Sequence, residues 1–235
     1  MSSTPKKANM LEDWGVTYEE LGEALEENPS LRGMVFGYVA EIKLRHVIEG
    51  NSLITASQKD DDHDRKKKGD RRFIYKDEEF TIESKSLQTK TVKLIKNSDG
   101  EVISHTGKAQ VDASDRRKIE MPDGEMLETT LLRVGEFDIL SVNCFAFEKK
   151  WRFLYSRNAD LPRSSSYKTE YNEHLISSTV SVQYPLEADS NFTEDLFELL
   201  DELVNERKSR RAKGEIPQES MIIEAGGDVI TAVEE

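Results

Sequence analysis

The sequence predicts an α/β protein in which a mixed central β-sheet is flanked by helices, with acidic helical extensions at both ends. Apolar residues recur at helical spacing before residue 50 and again after residue 193. Between these segments lie short runs rich in Leu, Val, Ile and Phe, which are typical of buried strands. The excess of negative charge is confined to the two ends of the chain.

The N-terminal helices are predicted from a cap and from apolar spacing. Residues 1–30 form an acidic segment, and Thr17 precedes Glu20 at the spacing of a capping box. A short acidic helix is therefore expected over residues 17–27. A second helix is expected from about residue 31 or 33 to residue 49, at the start of a core spanning residues 31–186. Its apolar residues Val35, Val39, Ile42 and Val47 recur near helical spacing.

The strands are predicted from apolar runs between turn signals. Residues 71–75 and 80–87 are expected to form two strands joined by a turn at Asp77-Glu78, and residues 91–95 either continue the second strand or begin a third. The charged stretch that begins at Ser57 is too polar for a core and is expected to be an exposed loop. Further strands are expected over residues 127–134, 137–147, 151–155 and 179–184.

The C-terminal part is predicted to be one helix and a tail. Residues 187–213 are expected to contain an amphipathic helix that begins near residue 193. Its apolar side carries Leu196, Leu199, Leu200 and Leu203. Residues 214–235 are expected to be a mobile acidic tail.

Composition and charge limit the functional classes. The chain has 235 residues, and no apolar run approaches the roughly 18 residues that a membrane helix needs. The single cysteine, Cys144, excludes an intramolecular disulfide and a zinc site built from cysteines. Together with a start that lacks the apolar stretch of a signal peptide, these facts favour a soluble, cytoplasmic protein with no membrane partner.

The net charge of −13 does not exclude nucleic acid, because it is unevenly distributed. Residues 1–30 have a net charge of −5 and residues 187–235 a net charge of −9, whereas residues 31–186 are at +1. A nucleic-acid site needs local positive potential and not a basic chain. The acidic terminal helices suit contacts with protein, through a homodimer or a partner.

One predicted hairpin brings charged residues together. Side chains alternate between the faces of a strand, so Glu83 and Lys85 point the same way. With a turn at Asp77-Glu78, Asp70 would lie opposite Lys85 and diagonal to Glu83 on that face. The grouping depends on the strand register, which a one-residue slip would destroy.

Two neighbouring carboxylates favour a hard divalent cation, best Mg²⁺, with Mn²⁺ as a substitute. Asp70 and Glu83 would be the metal ligands, and the backbone carbonyl of Ser84 would be a further ligand. The metal would neutralise phosphate charge and lower the pKa of a bound water, while Lys85 would orient that water or stabilise developing negative charge. Such a set hydrolyses phosphodiesters. The alternative is a surface hairpin with a cross-strand ion pair.

At these residues the chain resembles the PD-(D/E)xK nuclease superfamily, whose members have the restriction-endonuclease-like fold. Asp70 matches the acidic residue at the start of one strand, and Glu83-Ser84-Lys85 matches the (D/E)-x-K of the next. Gly69 stands where the motif name has proline. The resemblance covers about residues 33–95 and implies a Mg²⁺-dependent DNA endonuclease of restriction or phage-defence type.

The resemblance also implies a catalytic acid on the preceding helix, and Glu41 fits that role. The alternative is an ion pair between Glu41 and Arg45, one helical turn further on. Residues predicted to contact DNA are Lys66, Lys67, Lys68, Arg71, Arg72 and Gln88. The alternatives are a solvated loop neutralised by nearby aspartates and, for Gln88, an ordinary polar residue at a strand end. Asp64 is the second choice to Asp70 as a metal ligand.

Several basic residues outside the hairpin would suit a groove for DNA, and the sequence does not choose among them. They are Lys108, Arg116, Arg117, Lys118, Arg152, Arg157 and Arg163. Double-stranded DNA is the expected substrate, and RNA or branched DNA is an alternative. The second functional hypothesis is a catalytically inactive nucleic-acid-binding or scaffold subunit of a larger complex.

Overall fold

The computed structural model describes residues 9–59 and 69–215. Within them the helices are α1 (Met10–Trp14), α2 (Tyr18–Glu27), α3 (Pro29–Glu49), α4 (Phe145–Glu148), α5 (Thr169–Asn172) and α6 (Leu196–Ala212). The strands are β1 (Ile54–Lys59), β2 (Arg71–Tyr75), β3 (Glu78–Ser86), β4 (Lys93–Lys96), β5 (Val102–Gln110), β6 (Asp112–Glu120), β7 (Met126–Leu131), β8 (Ile139–Asn143), β9 (Phe153–Arg157) and β10 (Thr179–Tyr184). The expected tail, from residue 216 onward, lies outside the described residues.

The central sheet has five strands in the order β1-β2-β3-β8-β9. The β3–β8 pair is parallel and the other pairs are antiparallel. A mixed central sheet flanked by helices, as predicted from the sequence, is confirmed. Two smaller sheets accompany it, one of order β10-β5-β4 and one formed by β6 and β7. None of the helices in the described part is long and apolar enough to cross a membrane.

Alternation along β3 separates two cores. Phe80 and Ile82 face the layer formed by α3 and α6, where they pack with Leu44 and Leu200. Leu87 points to the opposite side and packs against the sheet of β10, β5 and β4. Because Glu83 and Lys85 share the parity of Leu87, they lie on the face opposite the helices.

The N-terminal helices agree with the prediction in their bounds. The capping box of Thr17 and Glu20 is present at the start of α2. The buried residues of α3 are Ala40, Leu44 and Ile48. Val35, Val39, Ile42 and Val47 lie outside this buried stripe. The reason is that α3 carries apolar residues on more than one side, so spacing alone does not choose the side that meets the sheet.

Three strands were not predicted from the sequence. The stretch that begins at Ser57 was expected to be a loop, but its first residues belong to β1 and pair with β2. β1 is an edge strand, where polar residues are tolerated and limit aggregation. β5 and β6 are also polar on one side, and no apolar run identifies them.

Two ion pairs fasten the C-terminal half of α6 to the sheet. Arg211 contacts the carboxylate of Glu78, with Nη2 to Oε2 at 2.8 Å, and Arg207 contacts the carboxylate of Asp138. Glu78 is buried, and its hydrogen bond with Arg211 lowers the pKa of its carboxyl. The apolar residues buried under α6 are Leu196, Leu199, Leu200 and Val204. Leu203, which was expected on the apolar side, packs partly buried beside them.

Candidate metal centre

The hairpin of β2 and β3 turns tightly at Lys76 and Asp77. Both residues have positive φ, at 49° and 65°, as in the two-residue turns whose twist matches that of the flanking strands. Tyr75 therefore pairs with Glu78 across the turn. The predicted turn at Asp77-Glu78 is one residue too late along the chain.

The observed register changes the partner of Asp70. Asp70 directly precedes a β2 residue that pairs with Ile82, so it lies across from Glu83 and diagonal to Lys85. The predicted pairing of Asp70 with Lys85 is wrong by two residues. A shift of two residues keeps every side chain on its face, so the three charged groups still share one face.

Backbone hydrogen bonds hold Asp70 in place. Its amide donates to the Ile82 carbonyl at 2.9 Å, and its Oδ2 accepts a hydrogen bond from the Ser84 amide at 2.7 Å. Gly69, with φ of 79°, brings the chain into this position. A Cβ at Gly69 would lie 3.1 Å from the Ile82 carbonyl oxygen, so the close approach of the strands favours glycine here.

Glu83 and Lys85 form an ion pair along β3. Lys85 Nζ lies 2.7 Å from Glu83 Oε1, and the side chains of Lys85 and Glu83 are 23% and 12% exposed, respectively. Burial alone would lower the pKa of Lys85, but attraction by Glu83 and Asp70 outweighs burial and raises this pKa above 10.5. Lys85 is therefore a cation at neutral pH and acts as a hydrogen-bond donor rather than a base.

Asp70 is strongly affected by its surroundings. Burial and repulsion by Glu83 raise the pKa of its carboxyl from 3.8 to about 7. Lys85 and the Ser84 amide act in the opposite direction without cancelling this rise. Two carboxylates thus share one face with a single ammonium close by, an arrangement that a second positive charge would stabilise.

The free oxygens of this pair suit a divalent cation. Within the described residues, Asp70 and Glu83 make their contacts through Oδ2 and Oε1, and Asp70 Oδ1 and Glu83 Oε2 accept no hydrogen bond. Mg²⁺ is usually held by one or two carboxylates, with water and phosphate oxygens completing its shell. Residues 9–59 and 69–215 contain no group of three or more His, Cys, Asp or Glu placed to hold a metal. The two carboxylates fit a Mg²⁺ ion that takes its remaining ligands from water or phosphate.

The Ser84 carbonyl is placed to join this pair. The amide and the carbonyl of a strand residue point to the same edge of the strand. The Ser84 amide donates to Asp70. The Ser84 carbonyl therefore points to the edge of β3 on which Asp70 lies. Its role as a metal ligand stays a prediction.

Glu41 approaches the site through a lysine. Its Oε2 lies 2.9 Å from Lys59 Nζ, and Lys59 is near enough to Asp70 to lower the pKa of that carboxyl. Arg45, the alternative partner of Glu41, pairs with Glu49 instead, at 3.8 Å. Lys59 was missed by the sequence because it lies in the stretch expected to be a loop. The catalytic role of Glu41 stays a prediction.

The predicted DNA-contacting residues fall in different places. Lys66, Lys67 and Lys68, with Asp64, lie outside the described residues. Arg71 faces α3, where its Nη1 lies 2.9 Å from Ser57 Oγ and 3.5 Å from Glu49 Oε1. Arg72 is on the opposite face of β2, and its Nη1 lies 3.7 Å from Glu79 Oε1. Arg71 thus has structural partners. The DNA contacts of these residues stay predictions.

Gln88 belongs to a polar row that the sequence did not reveal. Its Nε2 donates to Gln110 Oε1 at 2.7 Å, and Gln110 Nε2 donates to Asp112 Oδ2 at 3.2 Å. Asp112 also helps to raise the pKa of Lys85, so the row ends beside the candidate site. Gln110 and Asp112 come from β5 and β6, strands without a recognisable sequence signal.

Comparison with known proteins gives one similar structure. The structure of the bacterial homing endonuclease I-Ssp6803I is similar to this chain with a TM-score of 0.35 and 14% sequence identity. The similarity covers 75% of this chain and 93% of that chain. No protein-family model matches the sequence, and no curated protein matches it. A similarity this weak carries no functional argument.

Proposed function

We propose that this chain is a Mg²⁺-dependent endonuclease that hydrolyses phosphodiester bonds in double-stranded DNA. The observation that carries the proposal is the meeting of Asp70, Glu83 and Lys85 on one face of a hairpin, with Asp70 and Glu83 each keeping an oxygen that has no partner among the described residues. Mn²⁺ would substitute for Mg²⁺, because both accept oxygen ligands.

Each residue has a separate task in this proposal. Asp70 and Glu83, with the Ser84 carbonyl, would hold the metal. When bound, that ion would offset phosphate charge and lower the pKa of its water. Lys85, a protonated amine held by Glu83 at 2.7 Å, would donate hydrogen bonds to the attacking water or to the phosphate oxygen on which charge develops.

Other residues would assist. Glu41 would keep Lys59 close to Asp70, as their 2.9 Å ion pair suggests. Lysines 66 to 68, Arg72 and Gln88 would contact the duplex, the lysines through phosphates without reading sequence. The resemblance to the PD-(D/E)xK superfamily supports a restriction or phage-defence role in the cytoplasm.

The test is cleavage of DNA by purified protein. Wild type, Lys85→Ala and a matched Lys43→Ala variant would be incubated with supercoiled plasmid and phage DNAs in Mg²⁺, Mn²⁺ or EDTA. Lys43 is an exposed lysine of α3, far along the chain from the hairpin. Cutting by wild type and Lys43→Ala only, and only with metal, is expected. Cutting that survives Lys85→Ala would place the active site elsewhere.

A second candidate is a catalytically inactive, DNA-binding subunit of a larger complex. It is favoured by exposed apolar side chains on α1 to α3, where Trp14 is 66%, Tyr18 74% and Met34 59% exposed. Patches of this kind mark protein interfaces. Residues 9–28 carry seven carboxylates and no basic residue, which suits a partner protein with a basic surface. Binding of DNA in EDTA, with no cutting of any substrate in metal, would favour this candidate; a dimer in sedimentation would identify the partner as a second copy.

A further inference from the structure

The sheet of β10, β5 and β4 has one buried face and one polar face. Ala109, Val180 and Val182 are buried against the central sheet. The intervening β5 residues point the other way. We call this the outer face, and it carries Thr106, Lys108 and Gln110 on β5, with Lys93 of β4 paired opposite Thr106.

The outer face is basic in an acidic chain. In the described part of the protein, Lys93, Lys96 and Lys108 form no salt bridge. None of the four outer-face residues is acidic, although the chain has a net charge of −13. Lys93 and Lys108 give this face the local positive potential that a phosphate backbone requires.

The positive character belongs to the β4–β5 side of the sheet. On the β10 side, Gln183 donates a hydrogen bond to Glu187 at 2.7 Å. Asp160, Glu187 and Asp189 line a hollow there. These carboxylates would repel a duplex, so a polyanion is directed towards β4 and β5.

The outer face adjoins the end of β3, the strand that carries Glu83 and Lys85. The Gln88 amide donates to the Lys108 carbonyl at 2.8 Å, which joins the end of β3 to β5. Gln88, Gln110 and Asp112 are linked by side-chain hydrogen bonds, and Asp112 lies near Lys85. A hydrogen-bonded row of Gln88, Gln110 and Asp112 therefore starts on the outer face, and its last member is near enough to Lys85 to affect the charge of that lysine.

We infer that the outer face lies in the major groove of the duplex that the site cuts and sets the sequence preference beside the scissile bond. This inference rests on the proposed function. The row from Thr106 to Asp112 is about 20 Å long, the length of about six base pairs. The major groove of B-DNA admits a two-stranded ribbon, and the β4–β5 edge of this three-stranded sheet would enter it. Lys93 and Lys108 contact phosphates, while Thr106 and Gln110 contact base edges.

The first test measures duplex binding without metal. Binding of a fluorescent DNA duplex would be titrated in EDTA at several salt concentrations for wild type, Lys93→Ala, Lys108→Ala and the double variant. Each substitution should lower the slope of log affinity against log salt by about one, and the pair by about two. Lys43→Ala, on the helical side, should leave the slope unchanged. Unchanged slopes in the outer-face variants would overturn the inference, and so would an equal decrease of the slope in Lys43→Ala. A wild type that binds no duplex would also overturn it.

The second test measures sequence preference. Wild type and Thr106→Val would select from duplexes with a randomised centre, since valine keeps the shape and removes the hydroxyl. Loss of a base contact should relax discrimination at one or two adjacent positions by about 5- to 150-fold. An unchanged preference would overturn the reading role of the outer face.

Cleavage on the same preparations in Mg²⁺ separates this inference from the proposed function. A wild type that binds with the expected slopes but cuts nothing would refute the nuclease and leave the binding face standing. A wild type that cuts, with slopes and preference unaffected by the outer-face variants, would refute the face and leave the nuclease standing.

Discussion

Replacing Asp70 by asparagine should stabilise the protein in the absence of metal. Asp70 is held near Glu83, and burial with this repulsion raises the pKa of its carboxyl. Asparagine keeps an oxygen that can accept the hydrogen bond from the Ser84 amide, which is 2.7 Å from Asp70 Oδ2. The substitution therefore removes an unfavourable charge and keeps the local geometry.

The size of the effect follows from the pKa. A shift from 3.8 to about 7 corresponds to at most about 4 kcal/mol in the free energy of unfolding. The folded state holds the proton more tightly, so wild type is penalised increasingly as the pH rises from 3.8 to 7. Above pH 7 the penalty is complete, and at pH 5 it is about 2 kcal/mol. For a chain of this size, 4 kcal/mol raises Tm by about 10 °C.

The assay is urea denaturation in EDTA at pH 5 and pH 8. The free energy of unfolding of Asp70→Asn should exceed that of wild type at both pH values. The difference should be about twice as large at pH 8 as at pH 5. Asp123→Asn is the matched control. Hydrogen bonds from Lys168 and Tyr171 lower the pKa of Asp123, so its replacement should not stabilise. An Asp70→Asn protein no more stable than wild type at pH 8 would refute the reasoning.

The same carboxyl should make metal binding depend on pH. Mg²⁺ needs the ionised form of Asp70, whose pKa is about 7. The affinity should rise about tenfold per pH unit below pH 7 and level off above it. Calorimetric titration at pH 5.5, 6.5 and 8 measures this, and an affinity independent of pH would contradict it.

Two further predictions concern the scaffold of the site. Gly69→Ala should destabilise the protein more than Gly124→Ala and slow DNA cleavage. Both positions have positive φ, but only at Gly69 does the added methyl group approach the backbone of the next strand, at 3.1 Å; equal losses in urea denaturation would refute this. Arg211→Ala should cost about 1–3 kcal/mol, because it leaves buried Glu78 without its main partner. Lys208→Ala should cost less in the same assay, and an equal cost would show that the ion pair does not hold α6.

The grouping of Asp70, Glu83 and Lys85 on one face could be predicted from sequence because parity is more robust than register. The turn falls on Lys76 and Asp77, and the sequence did not determine which two residues would take positive φ. The resulting error of two residues changed the partner of Asp70 from Lys85 to Glu83. It left all three on the same face, since strand faces repeat every two residues.

The surroundings of the site could not be predicted in the same way. Lys59, Gln110 and Asp112 come from polar strands, which the sequence does not distinguish from loops. Their positions depend on strand pairing between segments that are distant in sequence. The buried side of α3 was missed for a related reason, because the sheet selects Leu44 and Ile48 from several apolar stripes.

Direct titration with Mn²⁺, followed by the electron paramagnetic resonance of the free ion, tests the central claim that Asp70 and Glu83 hold a metal. Wild type should bind one ion at this site, and Asp70→Asn and Glu83→Gln should each lose it, while Asp123→Asn should bind as wild type does. Binding that survives both substitutions, or that Asp123→Asn abolishes, would contradict a metal centre on the β2–β3 hairpin.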